Sequence, residues 1–396
     1  MFGDSSAIPT LSPGDGSITS PRKLDANKLE EQMFGSEGSG GRSVSAVYCG
    51  KGLATCLVWG GEGKDDVLTL HAPNVPDLGG GSGTVDLEGV TSIAGVSVGS
   101  KHLIAWGSDS KGEGVALTMG WAGGVNEGYG NLGLGANIGD GGGVVGVPTR
   151  VTSLEEDGTP LTGASAAGSH TAGLSGATNE VLTTGSGQYG RLGNVDAVDQ
   201  LFFEPVELLM TIPEVKYTKV AAGNSYTLVL GDTGEVWGWG KNDKGQLGLG
   251  GGISMDVYAM ENMPNKIELF DVMGVEVRDV AAGKDHSAAV DGEGRVWVWG
   301  GKSGFLEPNL VEGLPDDCRE VMCGENVTAV VTGKGEVWTM SHGGNGGGVK
   351  KGVLGRGVEK GDRVPGMVMG LSEEHTGGVI KGGEVGWGHA GFVVEG

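Results

Sequence analysis

Seven times along 396 residues an apolar segment runs into a glycine, a short small or polar trio and a second apolar stretch. No other feature constrains the fold as strongly. The glycines are Gly50, Gly99, Gly168, Gly223, Gly283, Gly324 and Gly386. They span 336 residues in six intervals of 41 to 69, a mean of 56. Self-similarity at this period marks a closed array of repeats, in which each unit buries its faces only against its neighbours.

The clearest copy reads Val220-Ala221-Ala222-Gly223-Asn224-Ser225-Tyr226-Thr227-Leu228, then an Asp232-Thr233-Gly234 turn, then Glu235-Val236-Trp237-Gly238-Trp239-Gly240. Two β-rich runs joined by an Asp/Gly turn predict a hairpin. The offset of eleven residues from the glycine to the second run recurs from Gly283 to Gly294 and from Gly324 to Gly335, so the hairpin is one structural unit. Each unit continues to a proline placed three residues before an aliphatic one: Pro148 with Val151, Pro205 with Leu208, Pro264 with Ile267, Pro308 with Val311, Pro365 with Val368. Proline lacks a ladder donor and suits an outer strand. Four short antiparallel strands repeated around an axis predict an all-β, seven-bladed β-propeller.

The run Asn242-Asp243-Lys244-Gly245-Gln246-Leu247-Gly248-Leu249-Gly250, with Gly-x-Val-Trp-x-Trp-Gly and Ala-Ala-Gly-x-x-His/Tyr-Ser/Thr, resembles the regulator of chromosome condensation repeat. The resemblance covers residues 42 to 396 and is densest over 220–300. It implies a disc that works through partners: an interaction propeller, or a guanine-nucleotide exchange factor for a Ran-type or other small GTPase. The exchange residues lie in loops where this sequence departs most, so none is carried over. A light-sensing branch of the family uses Gly-Trp-x-His-Thr clusters. Gly386-Trp387-Gly388-His389 resembles that motif but runs into Ala390, and Trp237, Trp239, Trp297, Trp299 and Trp338 read as core.

Both chain ends are expected to share the seventh blade. The last copy is expected to supply one inner strand over 386–396, and residues 1–28 the outer strands: Phe2-Gly3 resembles the Trp-Gly part and Pro21-Arg22-Lys23-Leu24 the proline signal. Residues 29–42 read as a linker and 43–385 as blades one to six, making 1–396 a single domain. Closure of this kind removes sheet edges that invite aggregation. Glycine at 83 residues would suggest disorder if aperiodic, but here it falls at the turns. Two segments depart from the repeat: a blade-two insertion at 108–128 with a glycine-rich loop at 136–146, and a loop at 251–263 rich in apolar residues.

A net charge of −23 opposes direct nucleic-acid binding. No apolar run approaches a membrane span, and no leader pattern is visible. The expectation is a monomeric cytoplasmic or nuclear protein without cofactor or metal, bound to one or more proteins, a small GTPase among the candidates. Cys49 and Cys323 precede their blade glycines where alanine stands elsewhere and read as small core residues. His102, His286 and His389 lie three residues after their glycines, and His170 two after Gly168 as if by a deletion. Four histidines from four blades raise a central metal site as an alternative; packing with an occasional hydrogen bond is the expected reading. Nucleotide-loop, zincin and nucleophile-elbow patterns are missing, and chance Gly-x-Gly-x-x-Gly matches carry no weight at this glycine content. No catalytic residue is assigned. Lys350, Lys351, Arg356, Lys360 and Arg363 form a basic stretch on an acidic chain and are the candidate partner-binding residues.

Overall fold

The computed structural model describes residues 2–3, 43–49, 55–61, 64–71, 83–85, 89–124, 128–135, 143–250, 259–342, 354–356, 363–371, 379–386 and 389–395. Among them, seven antiparallel sheets follow the repeat, six of four strands and one of three, and a small hairpin of Gly123–Gly124 with Gly128–Tyr129 extends blade two. Blade four shows the pattern, with Tyr217–Ala222, Tyr226–Gly231, Val236–Lys241 and Met260–Lys266 in sequential order. First strands of successive blades pack against one another and so ring the axis.

Antiparallel order fixes which connections share a face. The glycine turn after the first strand and the connection after the third lie together on one face. The hairpin turn after the second strand and the passage to the next blade lie on the other. On the first of these faces neighbouring backbones come very close. A Cβ on Gly99 would stand 2.4 Å from the Ala167 carbonyl oxygen, and one on Gly283 2.5 Å from that of Gly324. One on Gly324 would stand 2.5 Å from the Gly386 carbonyl. The same carbonyls accept hydrogen bonds from the preceding blade, Ser100 N–H to Ala167 O and Lys284 N–H to Gly324 O, both 3.1 Å. Glycine is needed here for close approach rather than for unusual φ.

Packing between blades is aliphatic and aromatic. Between blades four and five, Tyr226, Leu228, Val236 and Phe270 bury against Val280, Trp297 and Trp299, with the Phe270 ring edge-on to both indoles at 5.9 and 6.0 Å. Such geometry adds to area burial. The prolines sit in or beside the outermost strands, as expected from their missing donor.

The closing sheet joins Phe2–Gly3 to His389–Glu395 and Val379–Val385. Phe2 pairs Ala390 and Gly3 pairs His389, the register in which Trp239 pairs Thr227 and Gly240 pairs Tyr226 in blade four. Both chain ends thus close blade seven. The boundary expected at 386 is corrected: Gly386 lies in the turn after Val379–Val385, so the inner strand precedes it and the C-terminal part supplies two strands. A residue that ends one apolar run and begins another does not reveal from composition which run lies inside. The expected signal at 21–24 and linker at 29–42 fall outside the described residues.

Three further readings shift. In blade three Ala167, not Gly168, holds the glycine position, because Ala167 N–H bonds His170 O as Gly223 N–H bonds Tyr226 O. There is no deletion before His170. The buried aliphatic of that blade is Val206, whose N–H closes on Val181 O; Leu208 is exposed, so the proline there is displaced by two positions. In blade two, Gly114–Trp121 is the regular third strand, and the extra residues lie after it.

Gly283→Ala should lower stability by about 2 kcal/mol, since its methyl meets fixed backbone, whereas Gly146→Ala, with nothing within 4 Å of its Cβ, should stay within about 0.5 kcal/mol. Urea midpoints measure both; equal values would refute the crowding argument.

Candidate interaction face

Among the described residues, His102, His170 and His286 do not converge on one another. Each begins a second strand and reaches the next blade. His102 Nε2 lies 2.8 Å from Thr171 Oγ1, His170 Nε2 3.0 Å from Thr227 Oγ1, and His286 Nε2 3.1 Å from Thr328 Oγ1. In blade four Tyr226 takes this role, and its hydroxyl donates to His286 O at 2.6 Å. The hydroxyls in turn look back: Thr171 donates to Asn131 O, Thr227 to Arg191 O and Ser287 to Gln246 O. Those carbonyls belong to the turn after the preceding blade's third strand. The Trp239 and Trp299 indoles donate to Arg191 O and Gln246 O as well, both at 2.9 Å. Among the described residues a polar belt therefore ties blades two to six together beneath the glycine-turn face. The side chain of His389 lies outside the described residues.

Blade six departs from this in an informative way. Blade five has a short connection, Gly301–Ser303 and a few residues more, without the Gly-Gln-Leu turn. No carbonyl there accepts from Thr328. Instead His342, just past the third strand Val337–Ser341, places Nε2 2.8 Å from Thr328 Oγ1, with its ring 4.5 Å from that of His286. Cys323 Sγ lies 3.8 Å from the same oxygen. Burial, then the charge of Arg363, lowers His342 to about 4, and burial, then His342, holds His286 well below the usual histidine range. Two neutral imidazoles share one hydroxyl, a role the sequence alone concealed because His342 stands outside the repeat offset.

The candidate basic residues separate. Arg363 is exposed and its Nη2 reaches Lys302 O of blade five at 3.4 Å. Arg356 is half-buried and its guanidinium packs on Gly366 of its own fourth strand. Lys350, Lys351 and Lys360 fall outside the described residues. Among those described, no group of three or more His, Cys, Asp or Glu side chains is placed to hold a metal ion, and no helix is long and apolar enough to cross a membrane.

A regulator of chromosome condensation (RCC1) repeat model matches residues 178–230 and 233–290, and a second model of the same repeat matches 217–246. The chain thus carries regulator of chromosome condensation repeats over residues 178–290. The ultraviolet-B receptor UVR8 of Arabidopsis thaliana is 35% identical over 160 residues, 40% of this chain and 33% of that protein. The human regulator of chromosome condensation is 35% identical over 141 residues, 34% of this chain and 31% of that protein. The matched segments span about a third of these curated relatives. In structure the whole chain resembles human WBSCR16, with a TM-score of 0.74, 19% identity and coverage of 98% and 92% of the two chains. It equally resembles Prp20p of Saccharomyces cerevisiae, with a TM-score of 0.74, 17% identity and coverage of 100% and 91%. The RCC1-type propeller fold is thereby established for the chain.

The shared hydroxyl generates two expectations. Thr328→Val strands two buried imidazole nitrogens and should cost about 2 to 4 kcal/mol in urea unfolding. An unchanged midpoint would remove the belt from the account. In acid, the unfolded chain takes a proton on His342 near pH 6.5 while the folded chain resists to about 4. Stability from this group is therefore complete above about 6.5 and falls as pH drops towards 4, by up to about 3 kcal/mol. His342→Gln should flatten that part of the stability profile; a profile as steep as wild type would refute the assignment.

Proposed function

We propose that this chain is a non-enzymatic protein-interaction propeller, a scaffold or regulatory subunit, nuclear or cytoplasmic, with residues 1–396 acting as one unit. The observation that carries the reading is the division of labour within each blade. The candidate histidines and their threonines are consumed by bonds between blades, while the connections after the third strands vary in length and chemistry and all emerge on the glycine-turn face. A rigid ring presenting irregular loops supports recognition. The partner-binding stretch is proposed at Lys350, Lys351, Arg356, Lys360 and Arg363, which belongs to the third-to-fourth connection of blade six.

Guanine-nucleotide exchange on a small GTPase is the second reading. It is favoured by the 35% identity to the human regulator of chromosome condensation and by the fold shared with Prp20p, a protein described by its binding to Gsp1p and histones. Exchange needs a wedge that displaces the phosphate loop and magnesium, not an acid or base of its own.

Capture from cell lysate, once with EDTA and once with magnesium and excess GTP, separates the two. A scaffold retains the same partners in both conditions; a small GTPase retained only with EDTA would overturn the scaffold reading for exchange. Lys350→Glu with Lys351→Glu should weaken retention of the principal partner about tenfold, as loss of charge complementarity predicts. Unchanged retention would remove the basic stretch from the interface.

A further inference from the structure

Both faces of this acidic disc carry charge of both signs. Of the described residues, those on the hairpin-turn face include the exposed Glu155, Glu156, Glu207, Glu268, Asp271 and Glu276 beside the basic Lys216, Arg278, Arg295 and Lys334. The glycine-turn face carries Lys101, Arg191, Lys241, Lys244, Lys284 and Lys302, with Lys241 paired to Asp243, Lys244 to Asp285 and Lys284 to Glu325. Attraction of an acidic partner there depends on individual cations rather than on the face as a whole.

Within that face the junction of blades three and four stands apart. Arg191 occupies the turn position that Asn131 holds in blade two and Gln246 in blade four. There a neutral amide suffices: Asn131 Nδ2 donates to Trp121 O at 2.6 Å, and Gln246 Oε1 accepts from Lys244 N–H at 2.8 Å. The belt needs only the carbonyl of this residue, which Arg191 supplies to Thr227 and Trp239. Its guanidinium forms no ion pair among the described residues, and the Asp199 carboxylate acts on it only at longer range. The side chain is 4% exposed, yet its hydrogen bonds go to uncharged acceptors: Nε to Gln188 O at 2.7 Å, Nη2 to Gln188 Oε1 at 3.4 Å and Nη1 to Asn224 O at 3.5 Å. Burial pulls the guanidinium down to about 10, opposed by Tyr189 and Asp199.

Tyr189 completes the arrangement. Its ring lies 5.6 Å from the Arg191 guanidinium and 5.1 Å from Lys241 Nζ, half-buried over both. Its backbone is left-handed, φ 64 and ψ 16, in a residue with a Cβ. Such a conformation is held against a cost of about 1 to 3 kcal/mol. An arginine, a tyrosine and a lysine at the junction of two rigid blades have the composition of an interface anchor.

We infer that this junction binds a carboxylate-bearing segment of a partner protein, with Arg191 as the principal cation, the Tyr189 ring moving aside to admit the acid, and Lys241, which pairs Asp243 Oδ2 at 2.9 Å, flanking it. The inference rests on the interaction reading and names the partner chemistry of its docking face. A bidentate carboxylate matches the planar guanidinium and supplies the counter-charge it lacks. A nucleic acid would bring the same negative charge, and a DNA duplex is carried through the test to separate the two.

The test uses the full chain and a fluorescein-labelled hexaglutamate peptide at low salt, followed by fluorescence anisotropy. Saturable binding is expected below about 1 mM. Arg191→Gln, the residue blade four uses at this position, should weaken binding about tenfold, since bonds to charged groups contribute about 1.5 to 3 kcal/mol. Its melting midpoint should match wild type. Lys241→Gln should weaken binding about threefold, and Lys216→Gln with Lys334→Gln, exposed on the opposite face, should leave it unchanged. The proposal is overturned by absence of saturation, by wild-type affinity in Arg191→Gln, by equal loss in the opposite-face variant, or by a DNA duplex binding as tightly as the peptide. Peptide binding without any partner in the lysate capture would leave the site standing and the cellular interaction reading without support.

Discussion

The close approach of backbones at the glycine turns is the constraint on which the rest of this molecule depends. At Gly99, Gly283 and Gly324 the innermost strands end without a side chain between blades, and a methyl at Gly283 or Gly324 would stand 2.5 Å from a neighbouring carbonyl oxygen; in blade three Ala167 holds this place. Where the turns touch, the Ala167 and Gly324 carbonyls each take an amide from the preceding blade. Aliphatic and aromatic packing between sheets, such as Phe270 against Trp297 and Trp299, then fills the remaining space.

The polar belt is a second consequence. Hydroxyls and imidazoles are buried just below the crowded turns, where unsatisfied groups are costly. His102, His170 and His286 find their partners on the next blade rather than on their own, so these bonds resist sliding of one blade past another. Blade six shows the economy of this rule. With the connection of blade five too short to offer a carbonyl, His342 enters from a non-repeating position and shares the Thr328 hydroxyl with His286. Because the belt absorbs these histidines, the proposed recognition falls to the connections above it. There charge is distributed unevenly, with an arginine where neighbouring blades place an amide.

Much of the fold was legible. The offset from glycine to second hairpin strand, the prolines of the outermost strands and Phe2-Gly3 as a displaced Trp-Gly pair all report local chemistry that each strand position demands. The misreadings have one cause. Ala167, Val206 and Gly114–Trp121 hold positions defined by hydrogen-bond register, whereas residue identity at those positions had drifted. Spacing from a recognisable glycine or proline then points to the wrong neighbour. Of the candidate partner-binding residues, Arg356 and Arg363 turn to different surroundings, and Arg191, which the structure brings forward, had no signal beyond replacing glutamine in one turn.

Sequence alone determined the architecture: the number of blades, the order of hairpin and outer strand in the repeat, and the pairing of the two chain ends, but not which strand of blade seven lies innermost. These rest on periodic hydrophobicity and on turn chemistry, both local properties read along the chain. Tertiary structure decided what each repeated side chain does, because the partner of His102, His170 or His286 lies 69, 57 or 42 residues away in another blade. It also decided which charges share a face. That depends on the antiparallel course of four strands around a common axis, which places residues far apart in sequence on the same side of the disc.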